Sequence, residues 1–144
     1  MTPEQLDEVA RSAALVERRA ESFSTAFYER LFAEWPEARG LFPADLTAQR
    51  AKLTDEVVFL AEVASDFDGF VVRARELGAR HRGYGATSHG YEAVGSALLA
   101  GLAAALGDDL TAEVADAWRG LYRIIAEAML DGARVTPDPG RARG

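Results

Sequence analysis

Apolar positions along this chain recur at steps of three and four, the spacing that keeps side chains on one face of an α-helix. Leu6, Val9, Ala13 and Val16 form the first such stripe. Before it, Thr2-Pro3-Glu4-Gln5 reads as a helix start, with Thr2 as N-cap, Pro3 at the first helical position and Gln5 closing a capping box. Phe23, Phe27 and Leu31 carry a second stripe, interrupted at Pro36 because proline suits a helix start and not its interior. Gly40-Leu41-Phe42-Pro43 makes a bend, after which Asp45 or Thr47 can cap a helix bearing Gln49, Leu53, Val57, Leu60 and Ala64. Asp66 and Asp68-Gly69 are expected to end it. Phe70, Ala74, Leu77 and His81 then share one face, with Gly83 and Gly85 as the stop. From Ser88 a helix carries Tyr91, Val94, Leu98 and Leu102 as far as Gly107-Asp108-Asp109. Thr111 can cap a last helix with Val114, Trp118, Leu121, Ile125 and Ala128. No alternating strand pattern and no internal repeat is present. The pattern predicts one all-α domain of about seven helices over residues 1–133. The Pro-, Gly- and Arg-rich tail, 134–144, is expected to be disordered.

Composition narrows the partners. The 144 residues fit one domain able to bury on the order of two-thirds of its unfolded surface. A formal net charge of -7 without a Lys/Arg cluster repels phosphate backbones, so neither nucleic acid nor an anionic membrane surface is an expected partner. The absence of cysteine removes disulfides, thiolate metal sites and thiol nucleophiles together. Residues 1–13 are polar and charged, unlike a signal peptide, and no apolar stretch reads as long enough to span a bilayer. A cytoplasmic protein, monomer or homodimer, is the expectation.

Few residues offer chemistry. Of the two histidines, His81 lies at the end of an apolar helix face. A neutral imidazole there could serve as an axial iron ligand, its second ring nitrogen held by a carbonyl of the preceding turn. A core histidine satisfied by one hydrogen bond is the commoner fate of such a residue. His89, at a loop-to-helix junction, reads as exposed and incidental, without the companions a zinc site needs. Tyr28 beside the second stripe needs a partner for its hydroxyl, either a backbone carbonyl or something in a pocket. Gln49 heads an otherwise apolar face. The carboxylate pairs Asp7-Glu8, Asp55-Glu56 and Asp108-Asp109 read as caps and solvated faces.

Together these features resemble the globin domain of flavohaemoglobins and their single-domain relatives. Phe27-Tyr28-Glu29-Arg30-Leu31-Phe32, Trp35-Pro36-Glu37, Leu41-Phe42, Gln49-Arg50-Ala51-Lys52-Leu53, Arg80-His81-Arg82-Gly83-Tyr84-Gly85, the stretch from Tyr91 to Leu99, and Ala117-Trp118 carry the resemblance, in order, across about residues 4 to 132. It implies a globin fold around haem b. His81 would ligate the iron and Phe42 would pack on the porphyrin. Tyr28 and Gln49 would form a distal pair donating hydrogen bonds to dioxygen. Leu53 would narrow the pocket, Val94 and Leu98 would line it, and Tyr91 would support His81. The family's supporting glutamate falls on Ala133, with Glu127 about two turns upstream, so the resemblance does not imply that glutamate's electronic push on His81. The implied function is reversible binding of dioxygen, with NO and CO as further ligands, for oxygen transport or storage. The family's FAD/NAD reductase module does not follow within this chain, so nitric oxide dioxygenase activity would need a separate reductase. Gas or redox sensing through a partner protein is a further alternative.

Overall fold

Thr2 opens the first helix with the expected capping box. Its hydroxyl accepts from the Gln5 amide at 3.1 Å, and its own amide donates to Gln5 Oε1 at 2.9 Å. The computed structural model describes residues 1–81 and 88–135, apart from the side chains of residues 67, 68, 80, 81, 88 and 130–135. It contains α1 (Pro3–Arg18), α2 (Ala20–Glu34), a 3₁₀ turn (Pro36–Leu41), α3 (Thr47–Val63), α4 (Phe67–His81), α5 (Ser88–Leu106), a 3₁₀ turn (Gly107–Asp109) and α6 (Ala112–Val135). No strand occurs among the described residues, and the all-α class expected from the periodicity is the one observed.

Arg19 alone separates α1 from α2. Its amide donates to the carbonyls of Leu15 and Val16, and its guanidinium donates to the Ala105 carbonyl of α5 at 2.7 Å. The chain therefore turns at a residue pinned from across the molecule. α3 starts where Asp45 Oδ1 accepts from both the amide and the hydroxyl of Thr47, at 3.0 and 2.7 Å. Thr111 likewise accepts from the Val114 amide at 3.2 Å to start α6.

Three boundaries differ from expectation. α3 ends at Val63, and Asp68-Gly69 lie inside α4 and do not form a stop. Asp66 is what turns the chain, its carbonyl accepting from the Phe70 amide. α6 runs through Gly132 to Val135, because its apolar stripe on α4 outweighs the modest cost of one helical glycine. Finally, His89–Asp109 is, by length and composition, apolar enough to cross a membrane, its most apolar 18-residue window having a mean hydropathy of 1.3. This corrects the expectation that no such stretch exists. Here α5 lies along α2 and needs that apolarity for the core. Gly83, Gly85 and residues 136–144 of the expected tail lie outside the described residues.

Two helix pairs dominate the packing: α2 on α5, and α4 on α6. Both depend on a glycine. A Cβ on Gly101 would sit 2.8 Å from the Phe23 carbonyl, and one on Gly78 would sit 1.9 Å from the Met129 carbonyl. Around these crossings Val9, Val16, Phe23, Phe70, Leu102, Leu106, Trp118 and Leu121 are buried almost completely. The Trp118 indole donates to Ser12 Oγ at 2.8 Å, and Ser12 passes its own proton to the carbonyls of Glu8 and Val9. The largest core side chain thus has its polar atom satisfied across α1 and α6.

Gly78→Ala should lower unfolding free energy by about 1–3 kcal/mol, since the clash is with backbone and outweighs the better helix propensity of alanine. Gly120→Ala, where a Cβ meets only the Met1 side chain at 3.7 Å, should instead be neutral or stabilising by up to about 1 kcal/mol. Urea titrations of the two variants check this, and equal effects would contradict it.

Candidate functional site

α3 carries two apolar faces. Thr54, Val58, Leu60 and Ala61 are buried, on a helix that packs against α1 and α2. Gln49, Leu53 and Val57, the stripe read from the sequence, are only half-buried. Glu56 follows Gln49 by seven positions and shares its face about two turns on. Its carboxylate receives Arg73 of α4, Nε donating to Oε2 at 3.2 Å and Nη2 to Oε1. That face of α3 is therefore turned toward α4. α4 itself leans on α6 through the side bearing Phe70, Ala74, Leu77 and Gly78. α3 and α4 are joined by the turn at residues 64–66, are held by different neighbours and touch each other little. The two helices diverge from that turn, with Leu53 and Val57 half-buried on α3.

An aromatic cluster stands beside the start of α3. The Tyr28 ring meets Phe42 edge-on at 5.5 Å and Phe32 at 5.7 Å, and Phe32 meets Phe42 at 5.8 Å. Phe42 is held there by its own bend. Arg39 donates to the carbonyls of Phe42, Pro43 and Ala44 at 3.4, 3.0 and 3.0 Å, while its guanidinium lies 5.2 Å over the Phe32 ring. Arg50 donates to Thr25 at 3.3 Å and ties the start of α3 to α2. Tyr28 is 5% exposed, and burial raises its phenol above the ordinary tyrosine value. The Gln49 side chain, hydrogen-bonded to it, pulls in the opposite direction and less strongly. Tyr28 and Gln49 are thus the polar pair in an otherwise apolar corner.

The remaining candidates sit on α4 and α5. His81 is the last residue of α4, and its side chain lies outside the described residues, as does that of Ala133. Val94 is half-buried against the core, and Leu98 is buried. Tyr91 and Leu98, with Trp118 and Tyr122, line a groove of about 390 Å³ between α5 and α6. Tyr122, which the sequence reading passed over, donates its hydroxyl to the Tyr91 carbonyl at 2.6 Å. Its ring covers Gly95, where a Cβ would come within 2.9 Å. Burial raises the phenols of Tyr91 and Tyr122, and Tyr91 adds to the rise at Tyr122. The position of Tyr122, four after Trp118 on the same helix, was the available signal for it.

His89 is exposed, with Nε2 3.1 Å from the Glu34 carbonyl and its ring edge-on to Trp35 at 6.4 Å. Ser96 donates to the Glu34 carboxylate at 2.8 Å, so this corner fastens α5 to the end of α2. Among the described residues no group of three His, Asp or Glu side chains could hold a bare metal ion. Glu56, read from the sequence as part of a solvated carboxylate pair, is instead engaged by Arg73.

An all-α domain with two close helix crossings, diverging α3 and α4 and a buried tyrosine paired with the start of α3 is globin-like in architecture. Residues 25–129 match the family described as "Globin", and the chain belongs to the globin family. It is 26% identical over 125 residues to a flavohemoprotein of Bacillus subtilis, covering 85% of this chain and 31% of that protein. A flavohemoprotein of Bacillus thuringiensis is 28% identical over 134 residues, covering 90% and 33%. One of Bordetella pertussis is 27% identical over 138 residues, covering 94% and 34%. The chain spans about a third of the length of these relatives.

The three raised phenols make a pH prediction. A phenol whose folded value exceeds its unfolded one keeps its proton longer in the native state, so stability is fully present below the ordinary tyrosine value, about 10, and falls as pH rises past it. Urea midpoints should therefore decline above about pH 10. Tyr122→Phe should make that decline shallower, and a slope unchanged by that substitution would contradict the burial argument.

Proposed function

We propose that this globin binds haem b and reversibly holds a diatomic ligand, dioxygen first, with NO and CO as alternatives. The observation that supports it best is Tyr28: a buried phenol paired with Gln49, on a helix whose next turns carry half-buried Leu53 and Val57. Apolar side chains left half-buried fit a flat, largely apolar group, and the polar pair fits a small polar ligand beside it. When bound, haem supplies an iron able to take a diatomic molecule.

The chain's own residues divide the work. In this reading His81, at the end of α4, would hold the iron. Phe42, held by the Arg39 bend, would pack on the porphyrin, and Leu53 would limit the space for a ligand. Val94 and Leu98 would line the haem from α5. Tyr91 would support His81, with Ala133 in place of a carboxylate. The Tyr28 phenol stays protonated at neutral pH because burial disfavours its anion, so it remains a donor. A donor fixed in a dry corner stabilises partial negative charge on a ligand at little reorganisation cost.

Similarity to flavohemoproteins favours a second reading, nitric oxide dioxygenase activity with electrons from a separate reductase. Sustained nitric oxide consumption with an added reductase would support it. Consumption that stops after one equivalent would leave the carrier reading. Sensing through a partner protein would require association that changes with ligation state.

The direct test is the absorption spectrum as purified, after dithionite and with carbon monoxide. A Soret band that shifts at each step is expected, and its loss in His81→Ala. Full haem retention with an unchanged spectrum in His81→Ala would refute the ligand assignment.

Tyr28→Phe should speed dioxygen dissociation by roughly tenfold or more, because a hydrogen bond to a charged acceptor contributes about 1.5–3 kcal/mol. An unchanged off-rate in stopped-flow measurement would mean that Tyr28 does not face the ligand.

A further inference from the structure

α3 and α4 are joined by the turn at residues 64–66 and diverge from it. Gln49 and His81 lie at the far ends of the two helices. Glu56 and Arg73 meet between, one turn from Leu53 on α3 and one turn from Leu77 on α4.

Their contact is a fork. Two guanidinium nitrogens meet two carboxylate oxygens, a geometry that fixes orientation as well as distance. The third guanidinium nitrogen reaches Glu76 at 3.5 Å, and the Phe59 ring supports the group from 5.8 Å. The Arg73 and Glu56 side chains are 31% and 23% exposed, so the pair is far better shielded than the Asp7–Arg11 pair on α1, at 75% and 74%.

α3 rests mainly on α1 and α2, and α4 rests mainly on α6. The Glu56–Arg73 fork, with the Phe59 ring beside it, ties the two helices to each other directly.

We propose that Glu56 and Arg73 form a positioning pair that sets the separation of α3 and α4 near the turn that joins them and so governs how long a flat apolar cofactor is retained. The inference rests on the haem reading above. Neither residue need touch the cofactor. The fork acts as a strap that holds the two helices at one separation.

The test is the rate of haem loss from the reconstituted full chain to excess apomyoglobin. Glu56→Gln, Arg73→Gln and the double variant are compared with the natural sequence. Each single change should accelerate loss by roughly threefold to tenfold, and the double variant should be no faster than the worse single one. Raising the salt concentration should speed loss from the natural sequence more than from the double variant. Ser12→Ala, which strands the Trp118 indole, controls for general destabilisation: it should lower the urea midpoint and leave haem loss within about twofold.

Haem loss within twofold of the natural rate in both single variants overturns the strap while leaving the haem reading intact. Additive effects in the double variant, or equal acceleration in Ser12→Ala, also overturn it. A natural chain that takes up no haem overturns the haem reading itself and this inference with it.

Discussion

The architecture depends on how closely two pairs of helices are allowed to approach. At Gly78 the backbone of α4 lies against the backbone of α6 at Met129, with no space for even a methyl group. At Gly101 the same is true of α5 against Phe23 of α2. Close crossings of this kind maximise dispersion contacts along both helices and commit each to one neighbour. Once α4 belongs to α6 and α2 to α5, α3 has only α1 and the flank of α2 to rest on. The divergence of α3 from α4 follows.

The corner that holds Tyr28 and Gln49 is fixed by the backbone around it. The bend at residues 40–44 is stitched by one guanidinium reaching three successive carbonyls. These carbonyls lie outside helices and need donors, and Arg39 supplies them all while stacking over Phe32. Phe42 is thereby presented to Tyr28 by backbone satisfaction more than by its own packing. On α5 the Tyr122 hydroxyl performs a similar service, taking up the Tyr91 carbonyl in the first turn of the described helix.

Much of this was legible in the chain. Helix existence was readable because a period of three to four is local, and the Thr2, Asp45 and Thr111 caps need only their own neighbours. Tyr28, Phe42 and Gln49 stood out as large or polar groups in apolar settings, and the fold gathers these three in one corner. The face of α3 was not legible. Both of its sides are apolar, so periodicity could not say which stripe enters the core, and the answer depends on α1. Glu56 looked like ordinary surface charge because its partner lies on the next helix. Arg39 was invisible for a related reason: its targets are backbone atoms, which sequence patterns do not display. Asp68-Gly69 misled because a turn signal one step inside a helix is cheap when Asp66 already makes the turn.

The environments of Trp35 and Trp118 have an optical consequence. The chain has two tryptophans, and the fold places them in opposite settings. Trp118 is sealed in the core with its indole nitrogen bonded to Ser12, an environment that shifts emission toward the blue. Trp35 stands half-exposed at the end of α2, beside His89, and emits further to the red. A strongly absorbing pigment between α3 and α4 would quench both by energy transfer, each to a degree set by its own separation. The molecule therefore carries two intrinsic lamps of different colour, one reporting on its centre and the other on the α2–α5 junction, without any added label.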